Sequence, residues 1–228
     1  MSTLLLRLAA PLQSWGGECK FNTRRTERIP TKSGVIGLVA SALGRRRDES
    51  IADLASLRFG ARIDKAGTLL RDYHIAQIAN PPCVTNRYYL ADALFLAGLE
   101  GDCELLRTVD AALASPAFPL YLGRRSCPPV GRLSLGIRDA GLEDALRLEP
   151  CLDNGSKESR LRIVVEAQDN YSGYFVRDVP LSFNQEHRQF GFRRVVEYTV
   201  ENAAIKAQDL EALHEAQTEH DPMAELEV

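Results

Sequence analysis

Hydrophobic period changes along this chain in an order that few folds accept. Residues 3–9 form a short apolar run closed by Pro11, which reads as an interior strand with Arg7 on one face. Residues 11–32 show neither helical nor strand period and are rich in Gly, Thr and Arg, so a long loop is expected there. Residues 33–44 then read as a helix. Val35, Leu38, Val39, Ala42 and Leu43 share one face, Ser33 can N-cap it, and Gly44 suits the position after its end. A shorter helix starting at Asp48 or Ser50 uses Ile51, Leu54 and Ala55. Leu57, Phe59, Ala61 and Ile63 alternate as a strand, and residues 69–78 look like its antiparallel neighbour. Pro81-Pro82 marks a turn or arm, and residues 93–99 give another strand. Gly101-Asp102 opens a helix that reaches Ala114 and buries Leu105, Leu106, Val109, Ala112 and Leu113.

With a strand expected near Leu120, the series predicts an α+β chain built on a ferredoxin-like βαββαβ unit over residues 1–120. From about residue 121 glycine, proline and strand-like segments dominate, with strands predicted at 161–167, 174–179 and 195–200. Residues 121–200 are therefore expected as a smaller β-rich part. The 228 residues can bury a real core, and 45% apolar with 26% charged residues excludes disorder throughout and a collagen-like fibre.

The net charge of −3 hides an uneven distribution. Residues 201–228 hold eight acids and one base, so they carry −7 and the rest of the chain carries +4. Residues 1–50 have nine Lys/Arg against four Asp/Glu. A mildly basic body with an acidic tail, helical or disordered, is the expectation. Five cysteines, with no CxxC pair, fit reduced thiols in a cytoplasm better than a disulfide framework or a zinc ribbon. The apolar run at Leu4-Leu5-Leu6 is broken at once by Arg7, and no stretch approaches a membrane span, so no membrane is expected as a partner.

Two basic segments carry the chemistry. Residues 21–34 place Arg24, Arg25, Arg28 and Lys32 in a loop that runs into a helix N-terminus, where unpaired N–H groups and the macrodipole attract anions. A solvated basic loop is the plainer reading of that composition. The GxxxxGK[ST] phosphate loop is missing, so nucleotide hydrolysis has little support. Residues 121–130, YLGRRSCPPV, set Arg124 and Arg125 in a turn suited to offering guanidinium forks to phosphates, or to an ordinary surface turn. Arg71, Tyr73 and His74, then Arg87, Tyr88 and Tyr89, interleave basic groups with aromatics of the kind that stack on unpaired bases. Arg45, Arg46 and Arg47 read as a complement to the helix C-terminus. His74 is the one histidine placed to act as a general base, and no metal, cofactor or hydrolase motif appears.

Five segments in register carry a resemblance: LLLRLAAPLQSWG, TRRTERIPTKSGVIGLVASALG, RDYH, RYYLADALF and YLGRRSCPP. They resemble the CasD family of the RAMP superfamily, the crRNA 5′-handle-binding subunits of type I-E CRISPR Cascade complexes, over about residues 3–200. The resemblance implies an RRM-related, ferredoxin-like domain with a thumb-like arm at about 75–86 and a non-catalytic role in antiviral defence. It implies as partners the crRNA 5′ handle, the CasC backbone subunit and the CasA large subunit, with target DNA reached through the complex. Gln13 and Trp15 match the family's QSWG turn. Arg24, Thr26, Arg28, Thr31, Lys32 and Ser33 match its basic loop and helix start. Arg87 and Tyr88 match its R-x-Y-L element, and Arg124, Arg125 and Ser126 its LGRRS turn. With Tyr73 and His74, these positions are expected against the handle. The arm departs from the family pattern: twelve residues, 75–86, with two prolines, make it shorter and less basic. The rival reading is a metal-independent endoribonuclease, as in type I-C relatives, using Tyr73, His74 and Lys32. A structural adaptor that touches only neighbouring proteins is the third.

Overall fold

The run LLLRL can be a strand only if both of its faces are covered, and they are. In the computed structural model, which describes residues 1–16, 19–20, 23–76, 83–156, 158–168 and 173–202, it forms β1 (Ser2–Ala9). Leu4, Leu6 and Leu8 face one layer of the core and Leu5 the other, all fully buried. β5 (Arg58–Lys65), β8 (Leu94–Gly101), β9 (Ser134–Arg138), β10 (Arg160–Glu166), β11 (Tyr174–Ser182) and β12 (Gln189–Glu201) complete one seven-stranded sheet. Its order is β11-β12-β10-β5-β8-β1-β9, and every neighbouring pair is antiparallel.

Two helices cover one face. The first, α1 (Lys32–Ala42), buries Val35, Ile36, Leu38 and Val39, and α3 (Cys103–Ala114) buries Leu106, Val109 and Leu113. Both pack with the β1, β5 and β8 side chains of that face. A short α2 (Ala52–Ala55) adds Leu54. The opposite face is covered by α4 (Leu142–Leu148), whose Leu142, Ala145 and Leu146 meet Leu5, Leu96, Ile163 and Val165. Buried Arg62 ties that layer together, with Asp64 on one side and the carbonyls of Leu146 and Pro150 on the other.

A second sheet stands off the first. It joins β2 (Leu12–Gln13), β3 (Cys19–Lys20), β4 (Thr23–Arg24), β6 (Thr68–Ala76) and β7 (Cys83–Ala91). β6 and β7 form a long hairpin inserted between β5 and β8. The arm expected at about 75–86 falls largely on residues 77–82, which lie outside the described residues, as does the acidic tail from residue 203.

Several expectations are corrected. Thr31, not Ser33, caps α1: its hydroxyl accepts the Gly34 N–H at 3.2 Å, so the helix starts one residue earlier than predicted. The strand at 69–78 does not pair with β5, whose neighbours are β8 and β10; it pairs with β7. The strand expected near Leu120 is instead β9, fourteen residues later. Gly136 at φ +92° and a register shift opposite Leu5 and Leu6 break its alternation, which hides it from a period-2 search. The strands predicted after residue 160 are present as β10, β11 and β12, and β10 continues the first sheet through β5.

Candidate nucleic-acid interface

Four segments far apart in sequence meet where the second sheet approaches the start of α1. The QSW turn after β1 is the hub. Gln13 is fully buried; its Nε2 donates to the carbonyls of Leu8 (3.1 Å) and Ala93 (2.7 Å), and its Oε1 accepts Trp15 Nε1 at 3.1 Å. The Trp15 backbone N–H donates to Thr26 Oγ1 at 2.9 Å and its carbonyl accepts the Glu27 N–H at 2.8 Å, which fixes the basic loop. The indole lies against α1 at Gly34, where a Cβ would sit 2.9 Å from the ring. Gly34 is thus required by close approach.

The turn at 121–127 locks onto the same hub. Leu122 and Ser14 share a backbone bond of 3.1 Å, and Leu122 N–H reaches the Cys127 carbonyl at 2.7 Å. Gly123 has φ +86° and passes so close to Ser14 that a Cβ would lie 1.6 Å from its carbonyl oxygen, so only glycine fits. Arg124 then spans three segments. Its Nη1 donates to Tyr88 O (3.1 Å), its Nη2 to Arg24 O (2.9 Å) and Arg25 O (3.3 Å), and its guanidinium lies 4.7 Å from the Tyr89 ring centre.

This geometry sorts the expected site residues into two groups. Arg24, Arg25, Arg28, Arg125 and Ser126 are exposed, with Arg87 half-buried beside them on β7. Arg24 and Arg87 stand opposite each other in the parallel β4–β7 register, and Arg87 Nε is buried without a partner. Like charges directly opposite on neighbouring strands are unfavourable, and on its other side Arg87 stands opposite Asp72 in the β6–β7 register. Gln13, Trp15 and Lys32 correct the expectation of contact with RNA, because all three are enclosed. Lys32 is 2% exposed and its Nζ is held by Glu166 at 3.0 Å, while its backbone N–H donates to Asp178. Thr26 and Arg124 are occupied in holding the loops, and half-buried Tyr88 offers its carbonyl to Arg124 and Ser14. Ser33 is half-buried at the start of α1.

Tyr73 and His74 are exposed on β6, and His74 Nε2 lies 2.9 Å from Asp72. Consecutive strand residues point to opposite faces, so the two do not converge on one atom, and Lys32 is committed elsewhere. The three pieces of the nuclease reading are not assembled.

Two features have roles that the sequence pattern does not show. Tyr89, 5% exposed, lies under Arg124; burial pushes its phenol up, but hydrogen bonds with Ser126, Arg124 and Arg87 outweigh that and hold it below the ordinary phenol value. Adjacent tyrosines alternate faces, so only the register settles which one is inward. Second, a cleft of about 440 Å³ runs between Ser33 and Gly37 of α1, the turn at Gly123, and Arg188 near the β11–β12 tip, with Arg45, Arg46 and Arg47 along it. Arg45 pairs with Asp53 and Arg46 with Asp48. The arginine triplet was its signal, masked by the helix-end reading. Among the described residues no group of His, Cys, Asp and Glu is placed to hold a metal, and no helix is long and apolar enough to cross a membrane.

Fold and face together define an α+β protein, mostly antiparallel sheet, that presents a rigid main-chain platform edged with arginine. The chain belongs to the Cas5 family: the family model described as CRISPR-associated protein (Cas_Cas5) matches residues 3–196. It is 36% identical over 162 residues to the CRISPR system Cascade subunit CasD of Escherichia coli K12, covering 61% of this chain and 72% of that protein. A solved structure described as a Cas protein superposes with a TM-score of 0.74 at 41% identity, covering 89% of this chain and 96% of the other. A chain of a CRISPR RNA-guided surveillance complex superposes with a TM-score of 0.76 at 31% identity, covering 87% and 90%.

Proposed function

We propose that this chain is the crRNA 5′-handle-binding subunit of a type I-E Cascade complex, acting without catalysis in antiviral defence. The observation that carries the reading is the Arg124 clasp. By fixing the basic loop, β7 and the GRRS turn against one another, it leaves Arg24, Arg25, Arg28, Arg125 and Ser126 exposed around a partly unsatisfied Arg87. A polyanion lying along these exposed guanidinium groups is favourable. Handle phosphates lie along those arginines, and the neighbouring cleft has room for a splayed nucleotide. The CasC and CasA subunits and crRNA are the partners, with target DNA reached through the complex, and the cytoplasm is the compartment. The likeness to CasD and to the surveillance-complex chain supports this assignment.

In this reading β5, β8, β1 and β9, with α1 and α3 on one face, form the ferredoxin-like, RRM-related unit, and β6–β7 is its thumb-like arm. The dispersed positions of Tyr73, His74 and Lys32 argue against the endoribonuclease alternative. The test is a gel with purified protein, labelled repeat RNA and EDTA at two salt concentrations. An uncut, shifted band that weakens with salt and is reduced in Arg28→Ala/Arg125→Ala supports handle binding. A cleavage product lost in His74→Ala establishes the nuclease instead. Full affinity in the double arginine variant favours the adaptor.

A further inference from the structure

The cleft beside α1 is lined by positive charge without negative. Among the described residues its walls hold four arginines, Arg45, Arg46, Arg47 and Arg188, and no acidic residue. Asp53 and Asp48 reach Arg45 and Arg46 from outside the lining. Arg47 and Arg188 are exposed and, among the described residues, pair with no carboxylate. Rings hold Arg188 instead: its guanidinium lies 5.3 Å from the Phe190 ring centre and 5.8 Å from that of Phe183, which lines the cleft with it. Exposed Arg125, two residues past Gly123 on the cleft wall, carries the same charge onto the handle platform. Whatever anion sits in this cleft therefore competes with RNA.

The chain carries a matching counter-charge. Residues 203–228 contain seven acids and one base, Lys206, and from Glu215 onward five acids and no Lys or Arg. Length decides whether these acids can reach. The tail leaves at Asn202, at the end of β12 that is far from Arg188. β12 has thirteen residues and spans about 43 Å at the ordinary strand rise. Thirteen residues of extended tail cover the same distance and bring Glu215 level with Arg188. Glu219, Asp221, Glu225 and Glu227 follow it in sequence, so chain remains to enter the cleft. Because they are tethered, these carboxylates face the cleft at an effective concentration on the order of millimolar, and weak ion pairs suffice to fill it.

We propose that the acidic segment from Glu215 to Glu227 occupies the arginine cleft of the RNA-free protein as a tethered substitute for phosphate, and that the handle displaces it. The proposal rests on the handle reading and adds regulation to that site. RNA wins for a physical reason. It meets the cleft and the platform arginines together, and it releases condensed counterions that the sparse charges of the tail do not hold. A nucleic acid that touches the cleft alone lacks the platform contacts and leaves the tail in place. The tail thus raises the threshold against non-cognate strands.

Two full-length variants test it. The first, Glu215→Gln/Glu219→Gln/Asp221→Asn/Glu225→Gln/Glu227→Gln, removes the charge and keeps the chain length. It should bind the repeat RNA about three- to tenfold more tightly than wild type. Its logarithmic salt slope should be steeper by about 0.7 for each arginine set free. Equal affinities with equal slopes overturn the proposal. The second, Arg47→Lys/Arg188→Lys, supplies amines that a carbodiimide joins to adjacent carboxylates. Mass spectrometry should map links from position 47 or 188 to residues 215–227, with a yield independent of protein concentration and lost when the repeat RNA is added. Links absent from both positions, or formed only between molecules, overturn the proposal too. The handle reading can fail alone: links that form in a protein unable to bind the repeat RNA keep the docking and sink that reading. RNA binding untouched by the neutral tail does the reverse.

Discussion

Asp178 accepts the backbone N–H of Lys32 at 2.8 Å and grips Arg193 with both oxygens, at 2.6 and 2.9 Å. A carboxylate from β11 therefore fills the position at the head of α1 where an anion is most favourable. The head of α1, where the basic loop invites a phosphate, is occupied by the protein's own anion. Asp178→Ala leaves Arg193 buried without its partner and should destabilise by about 3–5 kcal/mol. Urea unfolding followed by the emission of Trp15 measures it. Lys32→Met should leave the salt dependence of RNA binding unchanged. A slope smaller by about 0.7 in that variant would mean that Lys32 contacts a phosphate after all.

The adjacent arginines of the GRRS turn are expected to behave differently. Arg124→Lys loses the fork that joins Tyr88 and Arg24, because one ammonium cannot reproduce a planar, multi-directional donor. It should lower both stability and RNA affinity. Arg125→Ala should lower affinity alone, with the logarithmic salt slope reduced by about 0.7 for one lost single-strand phosphate contact. Equal melting temperatures for wild type and Arg124→Lys would refute the clasp.

Much of this arrangement was legible in the chain and some was not, for physical reasons. α1 and α3 announce themselves as apolar segments of eleven residues or more that carry side chains at helical spacing, and β1 as an unbroken apolar run closed by Pro11. β9 is short and interrupted by Gly136, and α4 has only seven residues, so neither presents a full period. Basic loops mark a region, but exposure is decided by tertiary partners. Lys32 and Arg28 look alike in sequence; Glu166, 134 residues away from Lys32, makes one internal while the other stays exposed. Conversely, Gln13 and Trp15 stand out in the sequence, but their buried hydrogen bonds make them part of the packing beneath the basic loop.

Tyr89 should be detectable by its ionisation. Hydrogen bonds with Ser126, Arg124 and Arg87 hold its phenol below the ordinary value, whereas burial pushes Tyr174 and Tyr198 above it. Absorbance at alkaline pH should show one early tyrosinate that disappears in Tyr89→Phe. Since the folded form releases that proton more readily than the unfolded chain, its contribution to stability is absent below the folded pKa and grows as pH rises toward the ordinary phenol value. Wild type should therefore gain stability over Tyr89→Phe on going from neutral to alkaline buffer. No change in the difference with pH would contradict the assignment.

Burial raises the Cys127 thiol, and the hydrogen bond with Ser126 offsets only part of this. With 1% of its surface exposed, it should resist alkylation at neutral pH in the folded protein and react at the rate of a free thiol in urea. Peptide mapping after iodoacetamide distinguishes it from the half-buried Cys103. Rapid labelling of Cys127 in native buffer would show that the GRRS turn opens.

The β6–β7 hairpin leaves and re-enters the large sheet between strands that already pair with each other, where Lys65 and Leu94 are register partners. Its two roots are therefore stitched together by hydrogen bonds that belong to the scaffold. Distal residues can be added or trimmed without re-threading the core, since both ends return to the same pair of points whatever the span between them. The length of this hairpin is thus an adjustable dimension of the architecture. Any such change has to stay distal to Arg87, because Arg87, Tyr88 and Tyr89 of β7 belong to the arginine platform.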